Sequence, residues 1–275
     1  MKKVILSALV IILFPLASQA RRGNSFLKLN SYTGGAISTS FPSAQHPVQF
    51  VPTDVAGLVW WFKANLGPQV GSVVISSNSV AIDTWVNQST NTINLTQTTG
   101  ASQPLYMTNQ VNSLPVIRFD GVNDIMATSA VTEKQPLMFF IVLKIIAGTD
   151  GRYLWDGLAS TDKCAAWLFA GATGEAKLSA GSSACLVTYG VGSFVIITAQ
   201  YNGASSSNQV NNNTAVTGDI GLGNPAGLTL GNLQGAGSAS NIDVAEFIVY
   251  NTILSATNEA SVESYLASKY AITLN

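Results

Sequence analysis

Charged residues are scarce in this sequence, and neither sign predominates. Asp, Glu, Lys and Arg make up 10% of the 275 residues, with 13 basic side chains against 14 acidic ones. A chain without a basic excess has no positive field to attract nucleic acid or an anionic lipid surface, so we expect no nucleic-acid partner. Hydrophobic residues make up 47% of the chain, which is enough to build a core and excludes a disordered protein.

Histidine is almost absent, since His46 is the only one in the chain. It lies in a segment that precedes the predicted domain, so the domain has no imidazole for a Ser-His-Asp or Cys-His arrangement. Hydrolases of these types are therefore excluded. The sequence also contains no HExxH, CxxC or GxxxxGKS/T motif, which removes the common signatures of zinc and nucleotide sites.

Cysteine is rare as well, and the two present are Cys164 and Cys185. In an oxidising compartment an even number of cysteines favours a disulfide. Each lies beside a strand-like segment, so a bridge would join two neighbouring strands across the Gly-rich stretch between them. We predict the disulfide, and the alternative is two buried, unpaired thiols.

The N-terminus has the three parts of an export signal. Lys2 and Lys3 form the positive part, residues 4–16 the apolar part, and residues 18–20 a small-x-small cleavage site. The apolar run is shorter than the roughly 20 residues that span a bilayer, although Arg21 and Arg22 leave a membrane anchor as the alternative. We predict a signal peptide over residues 1–20 and a secreted, periplasmic or cell-surface protein.

The rest of the sequence divides into a short arm and one domain. Residues 21–52 are rich in Gly, Ser, Thr and Pro without periodicity, which predicts a linker or N-terminal arm. From residue 53 to residue 275, short apolar runs alternate with turn signals such as Asp120-Gly121 and Asn202-Gly203. This pattern predicts an all-β fold in which two antiparallel sheets pack face to face.

One helix is predicted, at the end of the chain. Ser255 can cap its N-terminus, and Glu259 lies in the first turns, where a carboxylate is favourable. Val262, Leu266 and Tyr270 share one face of this helix. We therefore expect the helix to pack on the sandwich.

Several segments together resemble a known family. They are GLVWWFKANLG (57–67), TWVNQSTNTINLTQ (84–97), QPLYMTNQVNSLPVIRFDGVNDIM (103–126), IDVAEFIVYNTILS (242–255) and VESYLASKYAITL (262–274). In sequence and order these resemble the bacterial and phage laminin-G-like domains of the concanavalin A-like lectin/glucanase superfamily. The resemblance implies a two-sheet antiparallel jelly-roll sandwich with one C-terminal helix over residues 53–275. It leaves function open among lectins, adhesins, glucanases and virion proteins.

Glycosidase chemistry needs only two carboxylates flanking the scissile bond. The E-x-D-x-x-E motif of the glucanase branch is missing from this sequence. Asp243 and Glu246 lie three residues apart in a strand, so the alternation of side chains predicts opposite faces. Glu259 and Glu263 lie four apart on the helix, where we expect a solvated face. We predict no catalytic residue and no enzyme, and a glycoside hydrolase is the less favoured alternative.

The loop FDGVND groups the oxygens of Asp120, Asn123 and Asp124, which could coordinate calcium. Asp-Gly is also a turn signal, so the alternative is an ordinary hairpin turn. We expect no cofactor other than calcium.

Aromatic side chains supply area of the kind that stacks on sugar rings. They include Trp60, Trp61, Trp85, Tyr153, Trp155, Trp167 and Tyr201. Trp60 and Trp61 are adjacent in a strand and should point to opposite faces. We place ligand contacts at Trp85, Asn87, Trp155 and Tyr201, with packing in the core as the alternative for any single tryptophan.

The sequence therefore predicts a non-catalytic secreted or surface binding module that recognises glycans or mediates adhesion. Its partner would be a glycan or a protein of the cell surface or envelope. The alternative from another class is a structural protein of a virion surface or cell envelope, in which the sandwich packs against neighbours.

Overall fold

The computed structural model describes residues 49–158, 163–233 and 237–275. The predicted signal peptide (1–20), most of the predicted linker (21–52) and His46 lie outside the described residues. The last residues of that linker pack against the domain: Phe50 lies against the apolar cluster beneath the terminal helix, and the Tyr250 hydroxyl donates to the Pro52 carbonyl at 2.9 Å.

The described residues form two antiparallel β-sheets and one α-helix, α1 (Ala256–Tyr270). The predicted two-sheet sandwich with a C-terminal helix is thus confirmed. The strands are β1 (Leu58–Lys63), β2 (Pro68–Val70), β3 (Val73–Val74), β4 (Val80–Ala81), β5 (Thr84–Trp85), β6 (Leu95–Thr96), β7 (Leu105–Val111), β8 (Leu114–Asp120), β9 (Met126–Ala127), β10 (Leu137–Ala147), β11 (Tyr153–Gly157), β12 (Lys163–Ala170), β13 (Glu175–Ala180), β14 (Ser183–Thr188), β15 (Val195–Tyr201), β16 (Ser206–Val210), β17 (Val216–Gly218), β18 (Leu228–Leu230) and β19 (Asn241–Tyr250).

The strand order is non-sequential in both sheets. Sheet A has the order β17-β16-β15-β10-β19-β8-β7-β4, and β1 pairs with β19 beside β8. Sheet B has the order β14-β13-β12-β11-β18-β9-β6-β5-β2-β3. The long strands β10 and β19 therefore lie in the middle of sheet A, where both faces are covered.

The main core lies between the sheets, and strand alternation selects its members. In β10, Phe139 and Ile141 point between the sheets, whereas Phe140 and Val142 point to the other face. Full burial of each such side chain contributes about 1.5–3 kcal/mol. The run LMFFIVLKII is apolar on both faces because both of its faces are buried.

The second apolar layer lies between sheet A and α1. Val262, Leu266 and Tyr270 of the helix pack with sheet residues such as Phe140 and Ile248. Ser255 caps the helix, accepting a hydrogen bond from the Asn258 backbone N–H at 3.3 Å, as its sequence predicted. Within the described ranges no helix combines the length and apolar content that a membrane crossing requires.

Candidate functional site

The structure places three of the predicted ligand contacts in the core. Trp85, Trp155 and Tyr201 have no exposed area. The Trp155 indole N–H donates to the Tyr201 hydroxyl at 2.8 Å, and that hydroxyl donates to the Ala165 carbonyl at 2.8 Å. Burial raises the pKa of Tyr201 well above its ordinary value. The predicted ligand role of these three is corrected, because a ring without exposed area cannot stack on a ligand.

Asn87, the fourth predicted ligand contact, is also buried. Its amide oxygen accepts from the backbone N–H of Trp61 at 2.9 Å and of Ser89 at 3.0 Å. Its amide nitrogen donates to the Val59 carbonyl at 3.1 Å. The side chain thus ties its loop to β1, and we correct its role from ligand contact to loop anchor.

The carboxylate oxygens of the predicted calcium loop accept hydrogen bonds from the backbone of a turn. Asp120 accepts from the backbone N–H groups of Val122 at 2.8 Å and Asn123 at 3.3 Å, and Asp124 accepts from the backbone N–H of Asp120 at 2.9 Å. Burial, with the nearby charge of Asp120, raises the pKa of Asp124 to about 6. Calcium takes six to eight oxygens, whereas one oxygen of each carboxylate is already used here. The arrangement fits the hairpin turn, and calcium binding stays a prediction.

Cys164 and Cys185 are free and buried, so the predicted disulfide is wrong. They lie on β12 and β14, with β13 between them. Two strand spacings amount to about 9.5 Å, beyond the roughly 7 Å that a disulfide allows between Cα atoms. Burial raises the pKa of Cys185 to about 11 and raises that of Cys164 as well.

Asp243 and Glu246 lie on the same face of β19, contrary to the prediction. The register against β10 shifts between the pairs Val142–Glu246 and Leu143–Val244, which leaves Ala245 as an extra residue. Such a bulge resets the alternation of side chains. Asp243 has no exposed area and accepts from the Arg118 guanidinium at 2.7 and 2.8 Å and from the Lys144 ammonium at 3.0 Å.

Glu246 is held by four donors beneath α1. One oxygen accepts from the Trp61 indole at 2.5 Å and the Tyr265 hydroxyl at 3.0 Å. The other accepts from the Lys269 ammonium at 2.6 Å and the Tyr270 hydroxyl at 2.7 Å. Because the carboxylate is fully buried, a substrate cannot reach it, and its contacts fasten the helix to sheet A.

The carboxylates of Glu259 and Glu263 on the helix also accept hydrogen bonds within the protein. The prediction of a solvated face is therefore wrong for Glu263. Glu263 is buried and accepts from the Thr198 hydroxyl at 2.6 Å and the Gln209 amide at 2.9 Å. The same amide donates to Glu259 at 3.0 Å. Burial and the charge of Glu263 raise the pKa of Glu259.

Three aromatic rings that reach solvent lie together on the outer face of sheet B. Tyr153, Trp167, Phe169 and Lys177 form this surface, which we call the aromatic platform. Trp167 pairs across strands with Tyr153 on one side and Lys177 on the other. Phe169 lies two residues further along β12, and Ala166 and Leu168 turn inward. The strand alternation therefore brings four side chains from three strands onto one face.

The rings of the aromatic platform contact one another and remain partly exposed to solvent. The Tyr153 and Trp167 rings are 6.4 Å apart at an interplanar angle of 25°, and the Trp167 and Phe169 rings are 6.1 Å apart at 71°. The Lys177 ammonium lies 3.6 Å from the Phe169 ring centroid. Phe169 is 46% exposed, and Tyr153 and Trp167 are partly exposed. The Tyr153 and Trp167 rings are thus nearly parallel, the Phe169 ring is steeply inclined to Trp167, and a cation lies over the Phe169 ring.

The sequence carries a partial signal for this surface. Tyr153 and Trp167 are among the aromatic residues that the sequence indicates, but the predicted ligand contact is Trp155, which points inward. The run AAWLFA places Trp167 and Phe169 two apart, hence on one face. Since both faces of β12 carry apolar side chains, the sequence does not indicate which of them meets solvent.

The sequence matches no established protein family and no curated protein. The structure is similar to the sialidase of Trypanosoma rangeli in complex with 2,3-difluoro-KDN, with a TM-score of 0.53, 12% identity, and coverage of 80% of this chain and 34% of that one. It is also similar to the binding domain of Paraclostridial Mosquitocidal Protein 1, with a TM-score of 0.51, 14% identity, and coverage of 78% of this chain and 52% of that one. The chain thus spans about a third and about half of these proteins. At such identities the likeness shows a shared β-sandwich fold.

Proposed function

We propose that this chain is an extracellular carbohydrate-binding module without catalytic activity, and that the aromatic platform is its contact surface. The observation that carries the proposal is the grouping of Tyr153, Trp167 and Phe169 on one open sheet face. Aromatic rings at a protein surface expose apolar area, which is unfavourable unless a partner covers it. A sheet face holds these rings in fixed positions.

A pyranose suits this surface because its C–H groups form an apolar face and its hydroxyls form a polar rim. The C–H face would pack on the Trp167 ring or on the Phe169 ring, as apolar groups pack on aromatic side chains in ligand sites. Lys177 and Glu175, which both point outward from β13, would donate to and accept from the rim hydroxyls. The binding energy would then come from stacking, and the orientation from hydrogen bonds.

The structural neighbours support this class of ligand. One is a sialidase, also known in complex with sialic acid, and another is the binding domain of Paraclostridial Mosquitocidal Protein 1. The resemblance to laminin-G-like domains agrees with the same role. The absence of catalysis is supported by the burial of Asp243, Glu246 and Glu263, each of which is hydrogen-bonded within the protein.

A glycan array probed with the full chain tests the proposal. We expect retention on a defined group of glycans, and a loss of about tenfold or more in affinity for Trp167→Ala and Phe169→Ala. Val216→Ala, which shortens a 42% exposed side chain on sheet A, is the matched control and should bind normally.

The outcomes separate the parts of the proposal. Normal binding by both aromatic variants would overturn the role of the aromatic platform. Failure to bind any glycan, with purification only as part of a large assembly, would favour the structural alternative. Release of reducing ends from β-glucans would overturn the absence of catalysis.

A further inference from the structure

A depression lies at the other end of the outer face of sheet B from the aromatic platform. Its volume is about 450 Å³, and its lining consists of Gly71, Ser72, Asp83, Thr84, Thr96, Thr98 and Gln103. We call it the polar pocket. Four strand spacings separate β12 from β6, or about 19 Å, so a single sugar residue cannot touch both the polar pocket and the aromatic platform.

Strand alternation forms the floor of the polar pocket. Thr84 on β5 pairs with Thr96 on β6. Their neighbours Trp85 and Leu95 are completely buried in the core, so both threonines point outward. The hydroxyl-bearing floor is therefore held in place by two neighbouring residues that have no exposed area.

A carboxylate fixes the wall. Asp83 accepts from the Gly71 backbone N–H at 2.6 Å, which holds the turn between β2 and β3, where Gly71 and Ser72 have φ angles of 54° and 70°. The backbone of Asp83 is itself held, since its N–H donates to Gln69 at 3.1 Å and its carbonyl accepts from Gln97 at 2.8 Å. The carboxylate thus needs little further ordering when a ligand binds.

Several polar groups of the polar pocket have no hydrogen-bond partner within the described ranges. They are the second carboxylate oxygen of Asp83, the hydroxyls of Ser72, Thr84 and Thr98, and the amide oxygen of Gln103. A few such groups converging in a depression are the usual means by which a site orients a polar ligand. The described lining includes no aromatic ring and no cationic side chain.

From this chemistry we propose that the polar pocket binds an uncharged sugar residue, separately from the aromatic platform. Asp83 would accept from a sugar hydroxyl, a charge-assisted bond of the stronger kind, while the serine and threonine hydroxyls complete the contacts. An acidic sugar would place a second negative charge beside Asp83 with no cation to offset it. The inference rests on the proposed function for its class of ligand, but not on the aromatic platform.

NMR titration of the full chain tests the proposal. The probes are the methyl glycosides of glucose, galactose and mannose, with glucuronic acid as the acidic counterpart. We expect at least one neutral glycoside to shift the amide signals of Gly71, Thr84 and Thr98, and glucuronic acid to leave them unchanged. Thr84→Val and Thr98→Val, which remove a hydroxyl and keep the shape, should each weaken that binding about fivefold to tenfold. Thr217→Val, on β17, is the matched control.

The outcomes also distinguish this site from the aromatic platform. Trp167→Ala should leave the NMR shifts at the polar pocket unchanged. If the polar pocket binds a glycoside but Trp167→Ala still binds normally on the glycan array, only the role of the aromatic platform is refuted. Absence of shifts with every neutral glycoside would overturn the present inference. Equal binding by glucuronic acid, or unchanged binding by both threonine variants, would overturn it as well.

Discussion

The buried carboxylate beneath α1 predicts a large loss of stability when its cationic partner is removed. In Lys269→Met the aliphatic stem is largely kept, and the ammonium that lies 2.6 Å from Glu246 is lost. Glu246 then remains in a site without exposed area, with hydrogen bonds from Trp61, Tyr265 and Tyr270 but without that ion pair. The helix and sheet A should therefore separate more readily.

The magnitude follows from burial. Removing one partner of a fully buried pair costs about 3–5 kcal/mol, and a hydrogen bond to a charged group contributes about 1.5–3 kcal/mol. The Lys269 side chain is 17% exposed while that of Glu246 is 0% exposed, so we take the overlap of the two ranges, about 3 kcal/mol. This is a large part of the roughly 5–15 kcal/mol that stabilises a typical domain.

Urea unfolding followed by tryptophan fluorescence measures this loss. With an m-value of about 2–3 kcal/mol per M, the midpoint of Lys269→Met should fall by roughly 1 M. Lys134→Met is the matched control, because Lys134 is exposed and has no ion pair within the described residues. A midpoint for Lys269→Met within about 0.2 M of that control would refute the assignment of Glu246 as the contact that fastens the helix.

Three further predictions concern single residues. A thiol reagent at pH 8 should modify neither Cys164 nor Cys185 in the native protein, and should modify both after unfolding without reductant. A lack of reaction in both states would instead indicate that the two cysteines form a disulfide. The pKa of Asp124 is raised from 3.8 to about 6, so the folded state favours the protonated carboxyl. The stability that this protonation contributes is fully present below pH 3.8 and is lost as the pH rises through 6. Between pH 4 and pH 7 the free energy of unfolding of Asp124→Asn should therefore rise by up to about 2 kcal/mol relative to that of the original chain. The same pH dependence of stability in both proteins would contradict this. Ala271 ends the helix at a φ of 54°, so Ala271→Gly should raise the free energy of unfolding by about 0.5–1 kcal/mol in the same assay, and a decrease would contradict the strain argument.

The architecture was predictable because it depends on local patterns. Apolar runs separated by turn residues predicted the two sheets, and Ser255 with the apolar face that follows it predicted the terminal helix. Trp60 and Trp61 do point to opposite faces, as alternation requires, with Trp60 in the core between the sheets and Trp61 beneath the helix.

The site residues were less predictable because they depend on which face is covered and which strands are neighbours. Trp155 and Trp167 both lie in apolar strands, and only the sheet order shows that Trp167 faces outward. The bulge at Ala245 has no distinctive sequence, yet it brings Asp243 and Glu246 to one face. The cysteines lie in strands as expected, but the intervening β13 keeps them apart.

The hydrogen-bond partners of the helix carboxylates could not be predicted from the sequence either. Glu263 looks like a surface residue, because glutamate is rarely buried without partners. Its partners Thr198 and Gln209 come from β15 and β16, more than 50 positions away. Such long-range pairing follows from the fold and has no local signature.

A crystal structure of the full chain with a glycan selected on the array would show whether the aromatic platform is the contact surface. We expect a sugar ring packed within about 4 Å of the Trp167 or Phe169 ring, with its hydroxyls near Lys177. A glycan bound on any other surface, with the aromatic platform left bare, would contradict the proposed role of the aromatic platform.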